Sequence, residues 1–327
     1  MLRLGVVGCG RVTTLFHLKG IRDVEGVTVA AVADLDRGRM MEVKSRSGAE
    51  RGYTDLGGLL SDPGVDAVAI NTPPRFHEEM TLESLKAGKH VLCEKPIAES
   101  VEGCVRVKEA QKATGLAVVP VHNYALTPCV DVTMKEIDRG GIGGVRRLVM
   151  RFNNNLRGYG PKTGFRLGER LSIIQDILPH TLSVAQALAG PPKVVKEARG
   201  WMKMYDVVDS VSLSLETEGG VDVDCSMNWT SLIPSFEVDI LGESGRMGIE
   251  IMKRPFRVSV ESGLGRRVFD ERGLGKYFDL LRLKHPSFAR QYLHFVGVVN
   301  GSERPRFTLD DEVRMANVME ETVRLLS

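Results

Sequence analysis

Leu2-Arg3-Leu4-Gly5-Val6-Val7-Gly8-Cys9-Gly10-Arg11-Val12-Thr13 opens the chain and decides how the rest is read. A short apolar run ends at two closely spaced glycines, and a helical pattern follows over 12–22. In such a strand–turn–helix the first glycine permits a tight turn. The second, Gly10, leaves the backbone bare where the helix begins, with Arg11 and Val12 completing the turn. Unpaired N–H groups and the helix dipole favour an anion such as a phosphate there. The third small position of the pattern is Thr13 instead of glycine or alanine, which predicts a wider spacing of helix and strand. An ordinary glycine turn is the alternative.

Further apolar runs lie at 27–33, 65–70, 90–93 and 116–121, separated by helix-like stretches at 37–46, 75–87 and 101–114. Continuous apolar strands alternating with helices predict a parallel sheet covered on both faces. Asp34 ends the second run, near the ~20-residue separation at which an acidic residue binds ribose hydroxyls and repels a 2′-phosphate. NAD is therefore favoured, and Arg37 keeps NADP open; a cap on the next helix is the other reading of Asp34. Asn71-Thr72-Pro73-Pro74, with His77 after it, would line the same crevice or form a proline-rich turn. Glu94-Lys95-Pro96 stops the 90–93 strand and fixes a lysine at its carboxyl end, where open α/β sheets bind ligands.

The pattern changes after His122-Asn123. A helix is predicted at 127–139, then strands at 145–154, 193–204, 210–216, 221–229, 236–241 and 246–250. Apolar and polar residues alternate, as in Val211-Ser212-Leu213-Ser214-Leu215, which suits an antiparallel sheet with one buried face. Glu218-Gly219-Gly220 fits a hairpin turn. Helices are expected at 171–188, 288–299 and 309–326, the last started by Thr308, Asp310 and Asp311. Two domains follow, 1–123 and 124–327, with a return of the last helix onto the first left open.

With 327 residues, 43% hydrophobic and 26% charged, the chain has room for two domains of roughly 150 residues each. Lys+Arg at 44 against Asp+Glu at 42 gives no basic footprint for nucleic acid or an acidic membrane surface. Cys9, Cys93, Cys104, Cys129 and Cys225 form no C-x-x-C, so reduced, buried thiols and a cytoplasmic location are expected. No Cys or His pair has zinc-ligand spacing, and no metal is expected. The first residues enter a strand without a charged leader, and no stretch reaches the about 20 apolar residues that span a bilayer.

Taken in order, these motifs resemble the glucose–fructose oxidoreductase / inositol dehydrogenase (Gfo/Idh/MocA) family of nicotinamide-dependent dehydrogenases. The resemblance is carried by Gly8-x-Gly10, Asp34, Asn71-Thr72-Pro73 with His77, and Glu94-Lys95-Pro96. It continues in Gly140-Gly141-Ile142-Gly143-Gly144-Val145, Phe165-Arg166 (a Trp-Arg pair in the family), Asp176-x-x-x-His180 and Leu241-Gly242-Glu243-Ser244-Gly245. It implies an α/β fold: an N-terminal Rossmann doubly wound parallel sheet plus a C-terminal α+β domain with a large, mostly antiparallel open sheet. That second domain would bind a small-molecule substrate and form a homo-oligomer through its open sheet, an expectation to which Trp229 near a strand end adds. The resemblance also implies that Lys95, Asp176 and His180 are catalytic and meet beside the nicotinamide. Glu94 and Asn123 would contact the cofactor, Arg166 the cofactor or substrate, and Lys95-Pro96 would be a cis peptide. Tyr124, Arg157 and Tyr159 are weaker substrate candidates.

Residues 176 and 180 lie four apart, so one helix face would present both, as a catalytic or merely a surface pair. His180 would take the hydroxyl proton, Lys95 would stabilise the alkoxide and Asp176 would orient them. Two departures from the family stand out. Residues 167–175 contain one glycine where the family has a glycine-rich stretch, and Leu178-Pro179 precedes His180. A proline there allows a helix starting near Ile177 with Asp176 as its N-cap, capping instead of catalysing. The expected function is an NAD-dependent dehydrogenase acting on a secondary alcohol of a polyol, sugar or sugar derivative. The alternatives are an NAD-binding regulator without turnover and a ketone or imine reductase preferring NADPH.

Overall fold

The computed structural model describes residues 1–159, 166–263, 265–271, 280 and 284–327. Two compact units divide the chain: Met1–Asn123 with Tyr277–Val313, and Tyr124–Lys276 with Arg314–Ser327.

The first unit is built on a six-stranded sheet of β1 (Leu2–Val7), β2 (Val27–Ala33), β3 (Arg51–Tyr53), β4 (Ala67–Ile70), β5 (His90–Cys93) and β6 (Val118–Pro120). The order is β3-β2-β1-β4-β5-β6 and every pair is parallel. β4 is buried along its whole length, as a strand covered on both faces must be. The order reverses between β1 and β4, and the carboxyl ends of those two strands frame the crevice where such sheets take ligands. Strand β3 and the helix Leu56–Leu60 were not expected; at three and five residues they are too short to show a period.

The helix expected over 12–22 is split. Thr13–His17 is a π-helical turn in which the Leu18 N–H reaches back five residues to the Thr13 carbonyl, and an α-helix, Leu18–Arg22, continues it. Thr13 causes no loosening: its hydroxyl donates to the Gly8 carbonyl at 2.6 Å and is fully buried. Gly20 is pressed against another helix, Pro286–Val299, where a Cβ would meet Phe288 at 2.7 Å. Tyr292 and Phe295 of that helix join Leu4, Leu18 and Ile21 in one apolar cluster. The region 124–327 is therefore not one body, because this apolar helix face completes the core of the first unit.

The last helix, Leu309–Leu326, begins at a reciprocal cap: Asp311 accepts the Thr308 N–H and hydroxyl, and Thr308 accepts the Asp311 N–H. Its opening turn belongs to the first unit, where Asp310 pairs with Lys108 and Glu312 with His122; from Arg314 onward it belongs to the second.

In the second unit eight strands form a sheet: β7 (Val145–Asn155), β8 (Pro192–Trp201), β9 (Ser210–Thr217), β10 (Asp222–Asn228), β11 (Thr230–Gly242), β12 (Gly245–Glu250), β13 (Arg257–Ser262) and β14 (Gly265–Asp270). The order is β14-β13-β12-β11-β7-β10-β9-β8, antiparallel except for β7 with β10. Burial alternates along β7, β9 and β10, and the helix Ser172–Ala189 packs on these strands. The partly exposed positions carry cross-strand ion pairs, Arg147 with Asp224, Arg151 with Asp239 and Lys196 with Asp222. β13 and β14 went unread, although Arg257-Val258-Ser259-Val260-Glu261-Ser262 alternates as a half-buried strand should.

Candidate active site

At the carboxyl ends of β1 and β2 the glycine turn is tied to the acidic residue. Gly8 takes φ +88°, and a Cβ on it would stand 2.8 Å from the Asn71 carbonyl group, so only glycine fits. A Cβ on Gly10 would meet nothing within 4 Å, an open approach to bare backbone at the first helical turn. That cradle fits a dinucleotide phosphate. Asp34 accepts the Cys9 N–H on Oδ2 at 2.8 Å and the Asp36 N–H on Oδ1 at 2.8 Å. It is not a helix cap: Asp36 caps Arg37–Ser47 by accepting the Arg39 N–H.

Arg39, not Arg37, is the cation at Asp34, with Nη2 2.9 Å and Nε 3.3 Å from Oδ1. Its carboxylate partner leads the causes that raise the Arg39 pKa. Oδ1 thus takes the Asp36 N–H and the Arg39 guanidinium, while Oδ2 takes the Cys9 N–H. Nothing in the sequence singles out Arg39 from Arg37, because the choice depends on where the capped helix turns.

Asn71, Thr72 and Pro73 follow β4 on the same edge, and Asn71 Nδ2 donates to the Thr13 hydroxyl at 3.1 Å. His77 has another task than the expected cofactor contact. Its Nδ1 lies 2.7 Å from the Pro96 carbonyl and its Nε2 2.7 Å from the Thr72 carbonyl, so both ring nitrogens face main chain and the neutral ring donates to one of the two at a time. Burial holds its pKa below the ordinary value against the pull of those two carbonyls. It clamps the turn after β4 to the turn after β5. Lys95-Pro96 in that second turn is cis, and the half-buried Lys95 stands at the carboxyl end of β5. After β6, Asn123 donates to the Ser287 hydroxyl at 3.0 Å.

The second unit carries the other expected pair. Ser172–Ala189 is one helix with Pro179 inside it and Leu171 at its N-cap, so Asp176 lies within the helix and the capping alternative falls. The Asp176 Oδ2 accepts the Trp229 indole N–H at 3.1 Å and stands 3.0 Å from Arg166 Nε in an ion pair. Trp229, expected near an open face, is instead 1% exposed. Arg166 thus pairs with Asp176 within this unit. One turn on from Asp176, the His180 ring lies parallel to Phe152 at 5.8 Å and meets the Tyr124 ring edge-on at 4.9 Å. Phe236 closes on both of those rings. Arg157 is exposed, and the Tyr159 side chain and Phe165 lie outside the described residues. Among the described residues no His/Cys/Asp/Glu group could hold a metal, and no helix is long and apolar enough to cross a membrane.

A parallel sheet with a glycine turn, a ribose-type carboxylate and a lysine along one carboxyl edge defines a nicotinamide-dinucleotide oxidoreductase. Residues 2–122 match the oxidoreductase family with the NAD-binding Rossmann fold, and residues 133–248 match the GFO/IDH/MocA C-terminal domain. The chain belongs to this Gfo/Idh/MocA family. It is 34% identical over 229 residues to inositol 2-dehydrogenase 2 of Saccharopolyspora erythraea, covering 68% of this chain and 65% of that protein's length. It is 29% identical to a scyllo-inositol 2-dehydrogenase (NADP(+)) of Bacillus subtilis, over 81% of each. An oxidoreductase from Agrobacterium radiobacter, solved with NAD+, L-tartaric acid and magnesium, superposes with a TM-score of 0.86. That structure is 19% identical, covers 99% of this chain and 96% of its own, and speaks for the fold.

Proposed function

We propose that the chain is an NAD(P)-dependent dehydrogenase that interconverts a secondary alcohol and ketone on a polyol, sugar or sugar derivative. One observation carries it. The carboxyl edge of a single parallel sheet gathers Gly8 and Gly10 after β1, Asp34 after β2, Asn71 after β4 and Lys95 after β5. The backbone at Gly8, Gly10, Arg11 and Val12 would hold the pyrophosphate, Asp34 the ribose, and Asn71, Thr72, Pro73 and Glu94 the remainder of the crevice. When bound, the nicotinamide would take up or return the hydride.

The remaining chemistry falls to side chains. The Lys95 ammonium stabilises the developing alkoxide. His180, with one face on Phe152 and its neighbour Tyr124 edge-on, takes the hydroxyl proton in oxidation and gives it back in reduction. Asp176, fixed by Trp229 and Arg166, orients the proton acceptor or a substrate hydroxyl. Tyr124 and Arg157 are substrate contacts in the same proposal. An inositol-like substrate is supported by the named activities of the curated relatives. NAD is the favoured cofactor, and Arg39 beside Asp34 gives NADP a counter-charge. A cytoplasmic homo-oligomer formed through the second sheet completes the proposal, with light scattering as its check.

The test is cofactor reduction at 340 nm by the full-length protein against inositols and sugars, with NAD and NADP in parallel. Lys95→Ala should lose roughly 10²–10³-fold in kcat. A Lys95→Ala variant as active as wild type removes Lys95 from the reaction. Tight NAD binding without turnover on any substrate would make the chain a regulator.

A further inference from the structure

Two buried polar side chains with no role in the proposal above lead to the Lys95 turn. His17 Nδ1 stands 2.8 Å from the Tyr292 hydroxyl, and its Nε2 stands 3.0 Å from Glu94 Oε1. The other Glu94 oxygen, Oε2, accepts the Lys95 main-chain N–H at 3.2 Å. His17 and Tyr292 are fully buried, and Glu94 keeps only 13% of its side chain exposed. All belong to the first unit. With His17 neutral, Nε2–H donates to the carboxylate and Nδ1 accepts the Tyr292 hydroxyl proton. The phenol remains protonated, since burial, then the Glu94 charge, pushes it far above its ordinary pKa.

Filling this space needs no polar atoms, and burying such groups costs several kcal/mol unless each is bonded. The backbone is also modified to present one of them. His17 closes the π-helical turn Thr13–His17, and such turns recur at functional sites. The His17 ring is flanked by Phe288, which lies edge-on to it and parallel to Phe16, and it meets the Tyr292 ring edge-on at 5.8 Å. The chain of contacts ends on the main chain of the residue proposed to act on the substrate oxygen.

We infer that His17 and Tyr292 are positioning residues that fix Glu94 and, through its bond to the Lys95 N–H, set the direction in which Lys95 leaves the end of β5. This rests on Lys95 acting at the substrate. Without the relay, Glu94 rotates, the Lys95 N–H loses its acceptor and the ammonium is no longer held where the alkoxide forms. A misplacement of about 1 Å can cost on the order of 10²-fold in rate.

Two substitutions separate the ends of the relay. In His17→Gln the amide nitrogen reaches the place of Nε2 and keeps a donor for Glu94; in His17→Asn the side chain stops at the place of Nδ1. His17→Asn in the full-length protein should lower kcat about 10–100-fold with substrate KM within about 3-fold. It should also speed hydrogen exchange at the Lys95 amide in cofactor-free protein. His17→Gln should restore both measures to within about 5-fold of wild type, while Tyr292→Phe gives a smaller loss of the same kind. Because Glu94 also lines the proposed cofactor crevice, cofactor Kd by calorimetry should weaken in His17→Asn and recover in His17→Gln.

Wild-type kcat and wild-type Lys95 exchange in folded His17→Asn overturn the inference. So does an equal loss in both His17 variants without any change in exchange, which marks packing alone. If His17→Asn does not fold, Tyr292→Phe decides by the same two readouts. A Lys95→Ala control with wild-type activity defeats the assignment of Lys95 instead, and the exchange data still report whether His17 holds the turn.

Discussion

Trp229→Phe removes one hydrogen bond and leaves a small cavity. The ring is buried, its N–H is 3.1 Å from Asp176 Oδ2, and that carboxylate is only 13% exposed. A bond to a charged acceptor contributes about 1.5–3 kcal/mol. The smaller phenyl ring leaves about 40 Å³ unfilled, which at ~24 cal/mol per Å³ adds about 1 kcal/mol. A loss of about 3 kcal/mol should lower the melting midpoint of the second unit by roughly 6–12 °C. The cavity contribution is separated by a double-mutant cycle with Asp176→Asn. Losing the carboxylate charge weakens the same bond, so the coupling should be about 1 kcal/mol in denaturant unfolding. Coupling below about 0.5 kcal/mol would mean the indole N–H does not hold Asp176, and the proposed orientation of that carboxylate would go with it.

Gly8→Ala forces a Cβ to 2.8 Å from the Asn71 carbonyl group at φ +88°, and should cost about 1–3 kcal/mol together with much of the cofactor affinity. A melting point within 1 °C of wild type, to the nearest ~1 °C expected of an unstrained site, would refute that strain. His77 binds fewer protons folded than unfolded, because its pKa is held below 6.5. Its contribution is complete above pH 6.5 and is lost as pH falls toward the folded value, at no more than about 1.4 kcal/mol per pH unit. The urea midpoint should therefore drop between neutral pH and mildly acidic pH, less so in His77→Gln, and a midpoint that rises contradicts the burial. All five cysteines are buried, and burial pushes the thiols of Cys9, Cys129 and Cys225 up to about 12. A thiol reagent at pH near 8 should find none in the native protein within minutes and all of them in denaturant; prompt labelling of native protein counts against this packing.

What could be read from the sequence was local. Strands β1, β2, β4 and β5 are continuous apolar runs, and a run states its own burial. The turn at Gly8 lies within one motif, while the cis Lys95-Pro96 is legible only through the resemblance of Glu94-Lys95-Pro96 to the family. The four-residue spacing of Asp176 and His180 is visible on any helix, and Pro179 misled about where that helix starts only because its cost is absorbed by packing on both sides. The unread parts are long-range. Trp229 lies 53 residues from Asp176 and Tyr292 lies 275 from His17, so no window shows either bond. The π-turn at Thr13–His17 has no period of its own, and nothing local marks His17 as a buried residue.

The apolar face of Pro286–Val299 that seals the first unit has a consequence for how the protein is made. Leu4, Leu18 and Ile21 leave the ribosome early, yet Tyr292 and Phe295, which cover them, follow some 270 residues later. At a synthesis rate of roughly 5–20 residues per second, the nascent Rossmann sheet waits on the order of tens of seconds with a greasy groove beside Gly20 uncovered. During that interval the groove is a target for chaperones, and a transcript cut short before codon 286 would leave it bare for good.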